Sequence, residues 1–392
     1  MTNDPPTRTE LLRRACELVP LIQKFAGWSE ENRRVHDDVI DAMTDAGLFR
    51  MRTPARFGGY ECDTRTLADV ATELARGDGS AAWVASVYWI PTWIASLFPP
   101  DVQAEVFANP DARICGTLSP TAMAAPAPGG VVVNGKWGFI TGARHSQWQE
   151  IIAVRMEPDR EPEPIVALVP MSELRIVDDW QTSGLRGTGS VSTIAQDVFV
   201  PQERILPLGA AMQGRTGGAA GAEGAIYRAP LLPVASASSA GTALGMAKAA
   251  AATFLERIEG RGITYTDYAS QQAAPLTHLQ VADAAMKIDE AEFHVHRLTS
   301  TVDLKAAGAH AWTLEERVRA RADMGAAVRL ARDAVDVLAE ASGGSSIFAE
   351  VPIQRIRRDI QALSLHALMH PDTNAELYGR ILCGQQPNTQ YV

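Results

Sequence analysis

Along the first ~110 residues the apolar positions recur at helical spacing. Ser29 is placed to cap a helix whose apolar positions Val35, Val39, Ile40 and Met43 share one face, with Gly47 as its stop. A second helix is expected after Thr64, with Leu67, Val70, Ala71 and Leu74 as its stripe and Gly77 at its end. The segment from Ala81 to Phe98 is apolar almost throughout and carries Trp83, Tyr88, Trp89 and Trp93, with Pro91 among them. It is too short and too interrupted for a membrane span and reads as a buried helix pair.

From Ala112 the texture changes to short β-branched runs between turn residues. Gly129-Gly130 precedes Val131-Val132-Val133, and Asn134-Gly135 follows as a hairpin signal, since both positions tolerate positive φ. Further strands are expected at Glu150–Met156, Pro164–Pro170 and Thr193–Val200. Residues 209–224 are rich in glycine and alanine and read as a mobile loop or linker. Long alanine-rich helices are expected at Pro233–Gly260, His278–Ala307, Trp312–Ala341 and Val351–His366, enough for a bundle. The fold class is therefore α+β: a helical N-terminal domain (1–111), a central β domain (112–208) of barrel or sandwich type, a connecting loop (209–228) and a C-terminal four-helix bundle (229–392).

The formal net charge of -10 and pI of about 5.4 argue against a nucleic-acid partner. Cys16, Cys62, Cys115 and Cys383 are scattered and form no C-x-x-C pair, which suits free thiols in a reducing cytoplasm. The N-terminus shows no secretory pattern, and no membrane association is expected. Arg186-Gly187-Thr188-Gly189-Ser190 is glycine-rich but sits between strands, so it is not a nicotinamide fingerprint. His294 and His296 are two apart and would point to different helix faces, so no metal site is expected.

Three segments carry a resemblance. Gly135-Lys136-Trp137-Gly138-Phe139-Ile140-Thr141-Gly142 resembles the flavin-lining strand of the acyl-CoA dehydrogenase family. Gly184-Leu185-Arg186-Gly187-Thr188-Gly189-Ser190 with Asp197-Val198-Phe199-Val200-Pro201 resembles its paired strands, and Gly343-Gly344 with Pro352, Arg355 and Arg358-Asp359 resembles its C-terminal motif. They fall in the family's order and the resemblance spans essentially the whole chain. The catalytic glutamate of those dehydrogenases is missing: Arg358-Asp359 runs on to His366-Ala367-Leu368, with a histidine beside the expected carboxylate. The stretch Trp137 to His145 and the spacing from Arg358-Asp359 to His366 are similar instead to the group D two-component flavin monooxygenases of the same fold, which act on phenols and polyketide-like aromatics.

That resemblance implies a reduced FMN or FAD that diffuses in from a separate NAD(P)H:flavin reductase, and O2 as co-substrate through a flavin C4a-hydroperoxide. It also implies a homotetramer. It makes Thr141 the hydrogen-bond donor near flavin N5 and His366 the base that ionises a phenol, a step suited to an imidazole with a pKa of ~6.5. Ser119, Thr121, Trp137, Arg186, Ser190, Gly343 and Gly344 are implied as flavin-binding, with Arg261 toward its phosphate. Trp83 and His145 are candidate substrate contacts; His370 lies near His366, though no family position supports it. Three other activities remain open: N-oxygenation of an amino sugar, a dehydrogenase with a displaced base, and a silent flavin-fold scaffold.

Overall fold

A computed structural model describes residues 5–157, 160–214 and 224–392. The N-terminal part is helical: α1 (Arg8–Asn32), α2 (Asp37–Asp45), α3 (Thr64–Gly77), α4 (Gly79–Ala95) and α5 (Pro100–Val106). Ser29 does not cap the next helix; it lies inside α1, and His36 caps α2 by accepting from Asp38 N–H at 3.1 Å. Chain reversal through Arg33 at φ 55° explains the difference, because α1 runs on past Ser29 and the cap of α2 falls at His36 instead. Asp78, at φ -160°, ends α3 and caps α4 through Ala81 N–H.

The expected helix pair at Ala81–Phe98 is instead one continuous helix, α4, with Pro91 inside it. All of it is buried except Val87 and Ile90. Its apolar circumference is that of a central helix of a globular core, and among the described residues no helix is long and apolar enough to cross a membrane. Three of its aromatic polar tips find a carbonyl: Trp89 Nε1 donates to Leu48 O (2.8 Å), Trp93 Nε1 to Ile226 O (3.1 Å) and Tyr88 OH to Gly142 O (2.7 Å).

The central block is one sheet of eight strands: β1 (Ile114–Gly116), β2 (Ala122–Ala127), β3 (Gly130–Ile140), β4 (Trp148–Arg155), β5 (Glu163–Pro170), β6 (Arg175–Val177), β7 (Val191–Pro201) and β8 (Ile205–Pro207). Its order is β6-β7-β3-β2-β4-β5-β8, with β1 against β4. Asn134-Gly135 is not the hairpin turn. That turn falls at Pro128-Gly129, where Gly129 has φ 80° and Ala127 pairs with Gly130. Asn134 lies within β3 and exchanges two hydrogen bonds with Asp197 (2.9 and 3.0 Å), which sits at φ 53° on β7 where the register shifts. The pair makes a bulge and not a reversal.

The C-terminal part opens with the short α6 (Leu208–Met212), so the glycine-rich stretch begins as helix; its residues 215–223 lie outside the described residues. The bundle is α7 (Leu231–Arg257), α8 (Pro275–Ala307), α9 (Leu314–Ala341) and α10 (Pro352–Ser364), followed by α11 (Pro371–Leu382), which periodicity did not reveal. A capping box of Thr313 and Glu316 starts α9, and proline at N1 starts α8, α10 and α11. Helix α7 is buried on nearly all sides and meets α3 so closely that glycine is required. A Cβ on Gly241 would lie 2.1 Å from Ala68 O, and one on Gly245 would lie 2.2 Å from Thr72 O. Gly241→Ala is therefore expected to lower stability by about 1–3 kcal/mol through overpacking, read as a lower thermal midpoint; an unchanged midpoint would show that α3 and α7 separate freely.

Candidate active site

A cleft opens where the sheet, α4 and the bundle meet. Its first part, about 590 Å³, is walled by Trp83, Val87 and Ile90 of α4, by Leu232, Ala235 and Ser239 of α7, and by the loop after β1. It adjoins a second hollow of about 760 Å³ bounded by Trp180, Leu185, Ser190 and Arg358. Trp83, Phe139, Thr141, Leu365 and His366 line both.

Thr141 follows β3 directly. Its hydroxyl pairs with Ser190 Oγ at 2.8 Å, and Ser190 Oγ with Thr188 Oγ1 at 2.7 Å, a chain that ends on Leu185 O. The next residue, Gly142, has φ 71° and lies so close to Tyr88 that a Cβ would fall 2.3 Å from its hydroxyl. This contact docks the end of β3 onto α4. Two residues before Thr141, Phe139 adopts φ 61° in a bulge of β3 and is 73% exposed at the cleft.

The two distant motifs of the sequence meet here. Asp359 on α10 accepts the Leu185 N–H at 2.6 Å, and Arg358 donates to Ser183 O at 2.8 Å. Leu185 itself has φ 50°, an unusual conformation for a branched residue, and the carboxyl holds it there. Burial, with Asp78 near, pushes Asp359 up to about 8. The Arg-Asp motif thus grips the loop that brings Thr188 and Ser190 to Thr141.

His366 lies past the end of α10, in the turn before α11. Its ring meets Trp83 edge-on at 5.1 Å, and Nδ1 accepts the Leu368 N–H at a long 3.3 Å. The side chain opens into the cleft, yet the enclosing protein pulls its pKa from 6.5 down to about 4. The imidazole is therefore neutral at pH 7.

Of the other sequence candidates, Trp83, Ser119, Ser190 and His370 line the cleft. His370 also caps α11, its Nδ1 accepting from Thr373 N–H at 3.4 Å. Trp137 is fully buried, with Nε1 on Ile152 O, so its ring cannot touch an occupant; strand alternation turns it into the core. Thr121 spends its hydroxyl on Lys136 O and Arg186 its guanidinium on Glu30 O and Thr182 O; neither lines the cleft. His145 does not line it either. Its Nε2 meets Val35 O at 3.0 Å and its Nδ1 lies 3.6 Å from Asp37, so it anchors the α2 region to the sheet, with burial pulling its pKa down. Arg261 and Gly343 do come together, 4.0 Å from guanidinium to a Cβ position, with Gly344 next in the chain and Ser345 also bonded to Arg261, but away from the cleft within one chain.

Sequence reasoning missed Phe139, Glu150, Arg321 and Tyr391, all of which line the cleft. Gly138 inside a strand was a bulge signal that pointed to Phe139, and Glu150 is the one charged residue in the run Trp148–Ala153. Tyr391 arrives from the C-terminal tail, its hydroxyl on Leu118 O at 2.8 Å, and no local pattern announces it.

The order of helices, sheet and bundle around one cleft defines the acyl-CoA dehydrogenase architecture. Residues 13–101 match the acyl-CoA dehydrogenase N-terminal domain and residues 237–371 a C-terminal domain of that family. The chain is 32% identical to the oxygenase component of the FADH(2)-dependent resorcinol hydroxylase of Rhizobium sp. (strain MTP-10005), over 97% of this chain and 96% of that one. Among solved structures, XiaF from a Streptomyces species in complex with FADH2 and glycerol superposes with a TM-score of 0.93 at 30% identity, covering 98% of each chain. The HsaA monooxygenase of M. tuberculosis superposes at 0.91 and 30% identity, covering 99% of this chain and 100% of that one. The chain belongs to this family of flavin-dependent monooxygenase oxygenase components.

The grip of Asp359 on Leu185 has a measurable consequence. Asp359→Ala leaves a buried N–H unpaired, which costs about 1–3 kcal/mol, and should lower the thermal midpoint. Asp359→Asn retains the acceptor and should stay close to wild type. Equal midpoints for the alanine variant and wild type would remove this role.

Proposed function

We propose that the cleft hydroxylates a phenolic or polyketide-like aromatic, with His366 as the base and Thr141 as the hydrogen-bond donor toward a reduced flavin. One observation carries the reading. Thr141 and His366 line the same shared wall of the cleft, while Ala367 stands beside His366. The residues present fit a flavin: Phe139 offers an exposed aromatic face, Thr141 and Ser190 offer hydroxyls, and the hollow beside them is lined mainly by apolar side chains. Reduced FMN or FAD, with O2, supplies the oxygen atom that is transferred.

What the chain itself does is position and move protons. Pairing with Ser190 and Thr188 fixes the Thr141 hydroxyl, so it presents one orientation to a ring placed against Phe139. The apolar walls exclude water, which protects the reactive oxygen from loss as hydrogen peroxide. Neutral His366 takes the phenolic proton and so raises electron density on the ring. With Nδ1 accepting the Leu368 N–H, the neutral ring carries its hydrogen on Nε2; to take the proton at Nε2 the ring must hold its hydrogen on Nδ1 instead and release the Leu368 N–H, a bond that at 3.3 Å is weak. Glu150 is the deeply buried carboxyl in the cleft, and burial pushes it up to about 8, so it is protonated at neutral pH and is a poor substitute for the missing dehydrogenase base.

The partners follow from the same reading. The glycine-rich loop at Arg186–Thr188 runs into strand β7 and opens no helix, so it offers no pyrophosphate cradle. A separate NAD(P)H:flavin reductase supplies the reduced flavin. Leu276, Leu279, Met286, Phe293 and Leu304 are exposed along α8, with 279, 286 and 293 at heptad spacing, which supports self-association toward a homotetramer. The exposed free thiols Cys16 and Cys383 suit a reducing cytoplasm.

His366→Ala should lower phenol hydroxylation by ~10²-fold or more at pH 7 and recover as pH rises toward the phenol's own pKa of ~10. Wild type should lose activity only on the acid side of 6.5, because the depressed imidazole must stay unprotonated. Product yield against pH checks both; an unaffected alanine variant would favour oxygen transfer to nitrogen. Thr141→Val should shift oxygen consumption from product to hydrogen peroxide, measured as the ratio of the two. Met286→Glu with Phe293→Glu should reduce the mass in light scattering, and an unchanged mass would place the contact elsewhere.

A further inference from the structure

Glu150 sits in the middle of β4, paired with Leu168 of β5 on one side and with Gly116 of β1 on the other. Its strand neighbours Ile151, Ile152 and Ala153 are completely buried, and Glu150 itself is 1% exposed. Its Oε1 has no hydrogen-bond partner among the described residues, and no cation there forms an ion pair with it. Gly116 explains why the carboxyl reaches the cleft at all: a Cβ at that position would lie 2.9 Å from the Glu150 Cβ. The missing side chain leaves a gap, and both residues line the hollow of about 590 Å³.

A buried carboxyl without a partner is among the costlier groups a fold can carry. No salt bridge, cap or metal cluster among the described residues uses it. Burial alone raises its pKa, so it presents a neutral acid with a carbonyl acceptor and an O–H donor. The structure assigns Glu150 a role in specificity: its carboxyl receives an N–H or O–H group that the aromatic substrate carries in addition to the phenol facing His366. The two residues come from different walls, the sheet and the turn after α10. A substrate held by both is a flat molecule with polar groups at two positions. This rests on the reading of the cleft as the substrate site of a hydroxylase. A flavin ring N–H has the same chemistry, so the test separates the two sources.

The experiment measures binding of two probes to the full chain without flavin, by equilibrium dialysis: 2,6-dihydroxynaphthalene and 6-methoxy-2-naphthol, which differ by one donor. Reduced FMN and FAD are titrated anaerobically in parallel. Wild type should prefer the diol at least ~10-fold, because a site built around a hydrogen bond rejects the analogue that lacks it. Glu150→Leu should erase the preference by weakening the diol alone, Glu150→Gln should retain most of it, and flavin affinity should not move in either. The thermal midpoint of Glu150→Leu should equal or exceed that of wild type, since an unsatisfied group is removed.

Three results would overturn the assignment: no preference in wild type, a preference that survives in Glu150→Leu, or a loss that falls on flavin binding. A midpoint lowered in both variants would likewise make Glu150 a structural residue. A chain that shows the preference but oxygenates no phenol would sink the hydroxylase reading and leave recognition by Glu150 standing.

Discussion

Helix α4 has no face toward bulk solvent, and the architecture follows from covering it. A helix apolar on all sides gains most when other elements surround it. The sheet, α3, α7 and the end of α10 provide that cover. Val87 and Ile90, the two α4 residues that escape full burial, are cleft lining, so the gap left in the cover is the site itself. Tyr88 completes the arrangement by tying Gly142, and with it Thr141, to the helix.

The wall shared by the two hollows of the cleft is assembled from parts far apart in the chain, and a few strong backbone contacts set their alignment. Asp359 holds Leu185 in the left-handed region, that loop carries Thr188 and Ser190, and their hydroxyls orient Thr141. His366 stands just past the end of the helix that supplies Asp359, so one element sets both sides of the cleft. Such a layout puts the proposed base and hydroxyl donor on rigid supports, which oxygen transfer needs if water is to stay out.

The legible part of the site was the part carried by compact motifs. Thr141, Ser190, Trp83 and His366 were named from the chain and stand together in the cleft. Trp137 and His145 came from the same motif stretch as Thr141 and were misplaced, because a motif tells which strand is near the flavin and not which way each side chain points. The bulge that turns Phe139 outward depends on how β3 registers with β7, more than fifty residues later. Asn134-Gly135 was misread for a similar reason: its local preference for a turn is satisfied within a strand by Asp197.

Local chemistry in the sequence was enough to determine the succession of helices, strands and bundle, the absence of the dehydrogenase glutamate, and the histidine beside its place. Periodicity and motif spacing act within an element, and those features live there. Only the tertiary structure decided that the Trp-rich segment is one central helix, that Glu150 and Gly116 open a buried carboxyl onto the cleft, and that the C-terminal Tyr391 closes over Leu118. Each of these depends on contacts between residues distant along the chain, where burial and hydrogen-bond satisfaction outweigh any local preference.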